Sequence, residues 1–378
     1  MGKLKYISVL LISITTLVFS VSLLSAKEES YKGLANFSKV LYLIEKNYVE
    51  DISSEDLTIN AIEGMLRSLD PYSVYLTPDN FKDVEVGTSG RFGGVGVEIT
   101  IKNGLLTVIS PIEDGPAEKA GVKAGDIIEK IEDETTKDFT TRKAANYLRG
   151  PKGSVVNIEV RGVNDKNPRK LKIVRDIIKI KSVKSKIIDN EYGYIKLSQF
   201  NKNSTLEFTN SYNKLIEKKG SELEGLILDL RNNPGGLLNQ AIQLSDLFMN
   251  SGLIVSVKGR FEHSSKDYFA EKNNEISDVP LVIIVNKGSA SASEILAGAL
   301  KDSKRAKVVG TKTFGKGSVQ SIIELDDGAG IKITTAKFYT PSGQTINEIG
   351  ITPDVIVENN NSSKDKQLDR AVELIKQM

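Results

Sequence analysis

Residues 281–300 read LVIIVNKGSASASEILAGAL. The apolar run Leu281–Val285 gives way to alternating serine and alanine, then to a stretch of helical periodicity from Ser293 to Lys301. A short apolar run bounded by turn residues is a buried strand, and the segment after it is a helix. The same alternation occurs upstream, with strands at Gly193–Leu197 and Leu226–Leu230 and a helical stretch at Leu237–Met249. Strands alternating with helices predict an α/β core. Ile322–Leu325 and Ile331–Phe338 return to strand character within the core, which is placed at residues 179–358.

The turn between Val285 and the helix has its own chemistry. A serine at a helix N-terminus lies where free N–H groups and the dipole favour developing negative charge, and small alanines let another backbone approach. Of Ser289, Ser291 and Ser293, one caps the helix, with Ser293 or a neighbour in that role. Glu294 reads as a favourable first-turn charge. Residues 228–236, LDLRNNPGG, form a strand that ends in a Pro-Gly-Gly turn, whose uncovered N–H groups could act as oxyanion donors. Residues 310–320, GTKTFGKGSVQ, approach the phosphate-binding pattern G-x-x-x-x-G-K-[ST] but place Gly317 at its last position and run into a strand. That excludes nucleotide binding there. With strand spacing, Lys316, Ser318 and Gln320 share a face, so Gln320 could orient the Lys316 amine.

Before the core, residues 90–178 change character. Gly90–Gly96 reads GRFGGVG, followed by strand-like segments at Val97–Ile101 and Leu105–Ile109, then PIEDGPAEKAGV at 111–122 and AGDII at 124–128. Standing alone, the glycine cluster reads as a hairpin or bulge. Ile99 stands where a dinucleotide fingerprint needs its third glycine. With the downstream pattern the segment is similar to a PDZ domain of the bacterial, permuted kind. That resemblance implies a nest of backbone N–H groups suited to a carboxylate, with Gly94, Val95 and Gly96 as peptide-binding positions.

Residues 27–89 form an N-terminal helical region in which Leu34, Phe37, Val40, Leu41, Ile44 and Tyr48 recur at helical steps. A second helix runs from Ser53 or Ser54 to Leu69, where Asp70-Pro71 stops it. These amphipathic helices are expected to pack on the main body or on a second subunit. Residues 1–26 carry Lys3 and Lys5 before an apolar run from Ile7 to Leu24, the pattern of an export signal, either cleaved or kept as an anchor. Either outcome places the body in the periplasm or on the outer face of the cytoplasmic membrane. Residues 359–378 supply a polar linker and a short closing helix, Gln367–Lys376.

Composition removes many alternatives. The 378 residues hold 51 Lys and Arg against 49 Asp and Glu, a formal net charge of +2, which argues against nucleic-acid binding through bulk basic charge. No cysteine is present, so thiolate metal sites, disulfides and cysteine nucleophiles are out. The single histidine, His263, lies in a polar loop and takes no role. No metal and no cofactor is implied.

The three core segments and the PDZ-like segment together resemble the carboxyl-terminal processing proteases, the tail-specific, PDZ-containing serine peptidases of family S41. The resemblance implies an α/β multidomain protein whose core has a mixed sheet of the ClpP/crotonase type. It implies Ser291 as nucleophile, Lys316 as base and Gln320 as its support. It also implies an oxyanion hole from the N–H of Ala292 and of Gly235 or Gly236. A lysine near its ordinary pKa of about 10.4 is protonated at neutral pH, and loss of hydration on burial favours the neutral amine. Arg149, near the end of the PDZ-like helix, is expected either to contact the protease domain and couple peptide docking to the dyad, or to act as a cation at the helix C-terminus. The reading is a serine endopeptidase that recognises free apolar C-terminal tails of exported proteins. Expected partners are such polypeptides, an adaptor protein, a second copy through the terminal helices and, if the signal is retained, the membrane. The competing readings are a non-catalytic PDZ scaffold or chaperone of the cell envelope and a crotonase-like acyl-transfer enzyme.

Overall fold

The computed structural model describes residues 32–162, 165–272, 276, 278–358 and 364–378. The expected export segment, residues 1–26, and nearly all of the polar linker lie outside the described residues. The chain divides into two compact units, one ending at Tyr75 and including Ile331–Ile333, the other made of Leu76–Gly330 with Thr334–Met378.

In the first unit, α1 (32–47) is followed by α2 (Ser54–Arg67). Ser53 caps α2 by accepting the N–H groups of Glu55 and Asp56 at 3.1 and 3.4 Å, with both carboxylates in the favoured first turn. The Asp70 carboxylate then takes the N–H groups of Tyr72 and Ser73 at 2.7 and 2.8 Å, an Asx turn that ends the helical run. A short strand, β1 (Val74–Leu76), follows.

The second unit opens with α3 (Pro78–Ser89), which has Pro78 in its first turn and stops at Gly90 in the left-handed region. The PDZ segment comprises β2 (Arg91–Gly94), β3 (Val97–Lys102), β4 (Leu105–Pro111), α4 (Pro116–Lys119), β5 (Ile127–Ile131), β6 (Glu134–Thr135), α5 (Thr141–Leu148), β7 (Val155–Arg161), β8 (Arg169–Val174) and β9 (Asp176–Lys179). Its main sheet runs β3-β4-β5-β7-β8, with β6 on β5, while β2 pairs with β9. Alternation along β7 turns Val156, Ile158 and Val160 inward onto Leu106, Val108, Ile128 and Ala144. The strand β3 is an edge of this sheet, and α5 packs against it.

The remaining elements are β10 (Val183–Ile188), β11 (Tyr192–Leu197), α6 (Ser204–Lys219), β12 (Gly225–Asp229), α7 (Leu238–Asp246), β13 (Leu253–Gly259), β14 (Lys266–Phe269), β15 (Leu281–Val285), α8 (Ala292–Asp302), β16 (Lys307–Gly310), β17 (Ser318–Glu324), β18 (Gly330–Tyr339), β19 (Val355–Ile356) and α9 (Lys366–Ile375). A six-stranded sheet runs β10-β11-β12-β15-β16-β19, parallel except for the antiparallel β10–β11 pair. Helices cover both faces. Leu226, Leu228, Ile283 and Val285 pack with residues of α6, α7 and α8, and Ile227, Val282 and Ile284 pack with Ala371 and Ile375 of α9. That is why β15 reads as an unbroken apolar run and β12 as one up to Asp229 at its end. A second, antiparallel sheet holds β14, β13, β18 and β17. The mixed α/β architecture expected from the alternation is present.

Candidate active site

Three segments meet at the carboxyl ends of β12 and β15. The Asn286 side chain accepts the N–H groups of Asn232 and Gly288 at 2.9 and 3.0 Å and donates to Asn232 Oδ1 at 2.9 Å, which locks the two turns together. Ser289 is buried and donates to Leu230 O at 2.8 Å. Ser293 is also buried and donates to Asn233 O at 2.9 Å from inside the first turn of α8. The cap position falls to Ser291, the one serine of the three that is partly exposed. Ser291 has φ 54° and ψ −113°, a conformation that costs a residue with a side chain about 1–3 kcal/mol and that recurs at functional sites.

Glu294 corrects a sequence expectation. It is fully buried and is far more than a first-turn charge. Its Oε1 accepts Thr313 Oγ1–H at 2.6 Å and Gly315 N–H at 2.7 Å. Its Oε2 accepts Ser291 N–H at 2.8 Å and Lys316 N–H at 2.9 Å. One carboxylate oxygen therefore holds the backbones of Ser291 and Lys316. Hydrogen bonds to an ionised acceptor are roughly twice as strong as neutral ones, so this is the main fastening of the two segments.

The same bonds explain why Lys316 is not in a strand. With the N–H groups of Gly315 and Lys316 turned to Glu294, neither can join a ladder. A side chain at Gly317 would meet the Asn347 backbone nitrogen at 2.5 Å. The strand β17 starts only at Ser318. The expected shared face therefore holds for Ser318 and Gln320 but not for Lys316, which is half-buried in the preceding loop. Gln320 Nε2 donates to Ser318 Oγ at 2.6 Å and to Thr334 Oγ1 at 3.3 Å.

The Pro-Gly-Gly turn lies directly against Ser291. A Cβ on Gly235, which has φ 99°, would sit 2.9 Å from both Ala292 N and Ser291 Cβ; one on Gly236, with φ 141°, would sit 2.1 Å from Phe200 O. Both positions need glycine. Gly235 N–H donates to Asn233 Oδ1 at 2.9 Å, whereas among the described residues neither the Gly236 nor the Ala292 N–H donates a hydrogen bond.

Behind the turn is a charged network with no warning in the sequence reading. Arg231 bonds Asp229 and, at 2.6 and 2.8 Å, Asp365, the cap of α9; Tyr194 OH donates to Asp229 at 2.7 Å. Burial pushes the Asp365 carboxyl up, but bonds from Arg231 and the Leu368 N–H outweigh it and hold the group below its ordinary range. Burial and the bond to Asp229 push the Tyr194 phenol up.

In the PDZ segment, Gly94 pairs with Asp176 and bridges to Arg149, and a side chain at Gly93 would meet Gly150 O at 2.2 Å. Val95 is buried, and its carbonyl accepts the Ala117 N–H at 2.8 Å. Gly96 is left-handed, and its carbonyl accepts the Ile112 N–H at 2.9 Å. Arg149 follows α5, pairs with Asp83 of α3 and lies over the Phe92 ring at 5.3 Å. Among the described residues, the partners of its side chain are on α3 and β2. A cavity of about 710 Å³ opens beside it, lined by Asp79, Phe92, Lys152 and Lys202 among others. His263 stacks on Phe261 in a short 3₁₀ turn.

Comparison with known proteins gives the family and the domain order. Residues 191–357 match peptidase family S41, residues 107–162 match the PDZ domain, and residues 19–80 match the activating protease CtpB N-terminal domain. The chain is 42% identical over 355 residues to a carboxy-terminal-processing protease of Bartonella bacilliformis, a match spanning 93% of this chain and 82% of that one. A carboxyl-terminal-processing protease of Synechocystis is 39% identical, with 84% and 75% covered. Among solved structures, the photosystem II D1 C-terminal processing protease superposes with a TM-score of 0.50 at 32% identity, covering 88% of this chain and 95% of that one. A strained serine at a helix N-terminus, a lysine loop fastened to it and a PDZ domain upstream thus fall in a chain that belongs to the carboxy-terminal processing proteases, the serine peptidases of family S41.

Proposed function

We propose that Ser291 and Lys316 are the nucleophile and base of peptide-bond hydrolysis, and that the PDZ segment selects substrates by their free, apolar C-terminal tails. The observation that carries the dyad is the Glu294 carboxylate oxygen shared by the Ser291 and Lys316 N–H groups. The neutral Lys316 amine takes the Ser291 hydroxyl proton while Oγ adds to the peptide carbonyl. The oxyanion is held by the N–H groups of Ala292 and Gly236, since Gly235 N–H is committed to Asn233. Lys316 then gives its proton to the leaving amine, and water releases the acyl group by the same steps in reverse. Gln320, fixed by Ser318 and Thr334, supports the amine from β17.

The tail carboxylate docks at the Gly94–Gly96 loop, and the rest of the tail adds to the open edge of β3 beside α5. Arg149 would transmit docking through α3, whose Thr88 carbonyl accepts the Lys202 N–H at 2.9 Å next to the Phe200 segment that pairs with the Pro-Gly-Gly turn. Residues 1–26 would carry the enzyme to the periplasm or the outer membrane face, where exported polypeptides, delivered directly or by an adaptor, are its substrates. A homodimer would use α1, which exposes Leu34, Phe37 and Val40, and not α9, which is packed on its own sheet.

The test is cleavage of an unstructured peptide with an apolar C-terminus, supplied as free acid and as amide, by wild type and Ser291→Ala. Cleavage of the acid, weak cleavage of the amide and none by the variant are expected. Equal cleavage of acid and amide would remove tail-reading, and turnover by Ser291→Ala would remove the dyad.

A further inference from the structure

We infer that Asn233 is the positioning residue of the oxyanion site: it fixes the Pro-Gly-Gly turn so that the Gly236 N–H, and not the Gly235 N–H, faces the reacting carbonyl beside Ala292. The inference rests on the dyad reading and goes one residue beyond it. Asn233 is fully buried. Its Oδ1 accepts the Gly235 N–H at 2.9 Å, and its Nδ2 donates to Leu197 O at 3.0 Å. Its own carbonyl accepts the Ala290 N–H at 3.0 Å and the Ser293 hydroxyl at 2.9 Å.

With its own N–H donated to Leu230 O at 3.2 Å, five bonds thus converge on one residue from β11, the turn after β12, and the turn and helix that carry Ser291 and Ser293. Two more fasten the far side of the turn, Phe200 N–H to Gly235 O at 2.9 Å and Leu237 N–H to Phe200 O at 2.8 Å. Every N–H from Gly235 to Leu237 then has an acceptor among the described residues, except that of Gly236. The side-chain amide accepts from Gly235 and donates to Leu197 at once; an ionised carboxylate in its place would set two acceptors against each other. The neighbouring Asn232 does different work, since its side chain and N–H are engaged with Asn286.

The experiment compares Asn233→Asp and Asn233→Ala with wild type, using Ser291→Ala as the reference for the dyad. Turnover of a free-acid tail peptide is measured alongside the affinities of a peptide boronic acid and of the matching peptide acid product. When the boronate binds, Ser291 Oγ adds to boron, its proton passes to Lys316, and a boron-bound oxygen of the tetrahedral adduct occupies the oxyanion site. The product's planar carboxylate forms no bond to Ser291 and presents no tetrahedral oxyanion there. We expect kcat to fall about 100-fold with KM within about threefold, the boronate affinity to fall in step, and product affinity to hold. Unchanged kcat, or equal losses of boronate and product affinity, would overturn the assignment while an inactive Ser291→Ala kept the dyad. If neither variant folds, wild type still decides. On boronate binding the amide resonance of Gly236 should shift and that of Gly235 should not; the opposite result discards the proposal.

Discussion

The turn that carries Ser291 and the loop that carries Lys316 are built in opposite ways. Ser291 is placed by regular structure: a fully buried strand delivers the chain, α8 receives it, and the two flanking serines tie the turn to the carbonyls of Leu230 and Asn233, 59 and 60 residues upstream. Lys316 is placed from a distance. Its loop, residues 312–317, has no regular structure, and its backbone is fixed by a carboxylate on α8. A proposed nucleophile set in regular structure and a proposed base whose loop is fastened largely through one buried carboxylate respond to different substitutions.

The largest effects should come from the proposed nucleophile and base. Ser291→Ala and Lys316→Ala should each lower kcat by about 10⁴-fold or more, and the double variant should be little worse than either, because the pair acts as a unit. Glu294→Gln keeps the shape but weakens four charge-assisted bonds and points an N–H at donors. It should cost about 2 kcal/mol of stability and lower kcat by about 100-fold, with the Lys316 loop losing amide protection before α8 does. Equal loss of protection in both would show that the base loop is held by more than Glu294. Gly235→Ala puts a methyl group against Ala292 N and Ser291 Cβ and should reduce kcat by about 10–100-fold.

The Asp365 contact predicts a smaller effect with a definite sign. Its carboxyl is held low, so its stabilisation is complete above the unfolded carboxyl pKa and is lost as pH falls through the lower folded value. Asp365→Asn should remove that acid limb from thermal unfolding curves and cost less than about 1 kcal/mol at pH 7, because the pair is partly solvated. The smallest effect belongs to Arg149→Ala. Turnover of tail-bearing proteins should drop severalfold, while a short blocked peptide is cut at the wild-type rate. Equal losses on both substrates would dissociate Arg149 from tail-sensing.

Much of the molecule was legible before its coordinates. Apolar runs marked β12 and β15, the Ser-Ala alternation marked the turn before α8, and the glycine cluster marked the start of the PDZ segment. Apolar periodicity and turn chemistry are short-range properties, written within about ten residues of where they act. Glu294 shows the limit. At the start of α8 it has the profile of any favourable helix-terminal acid, and it becomes a hub only because residues 313–316 fold back over it. The choice of Ser291 over Ser293 as the cap, of Gly236 over Gly235 as the open N–H, and of Asp83 as the partner of Arg149 were all set the same way. Each depends on which donors and acceptors a closed chain brings within 3 Å of one another. Local sequence carries the strands, the helix and the reactive residue types; their hydrogen-bond partners depend on long-range chain closure, because a buried polar group takes whatever partner the packed core presents.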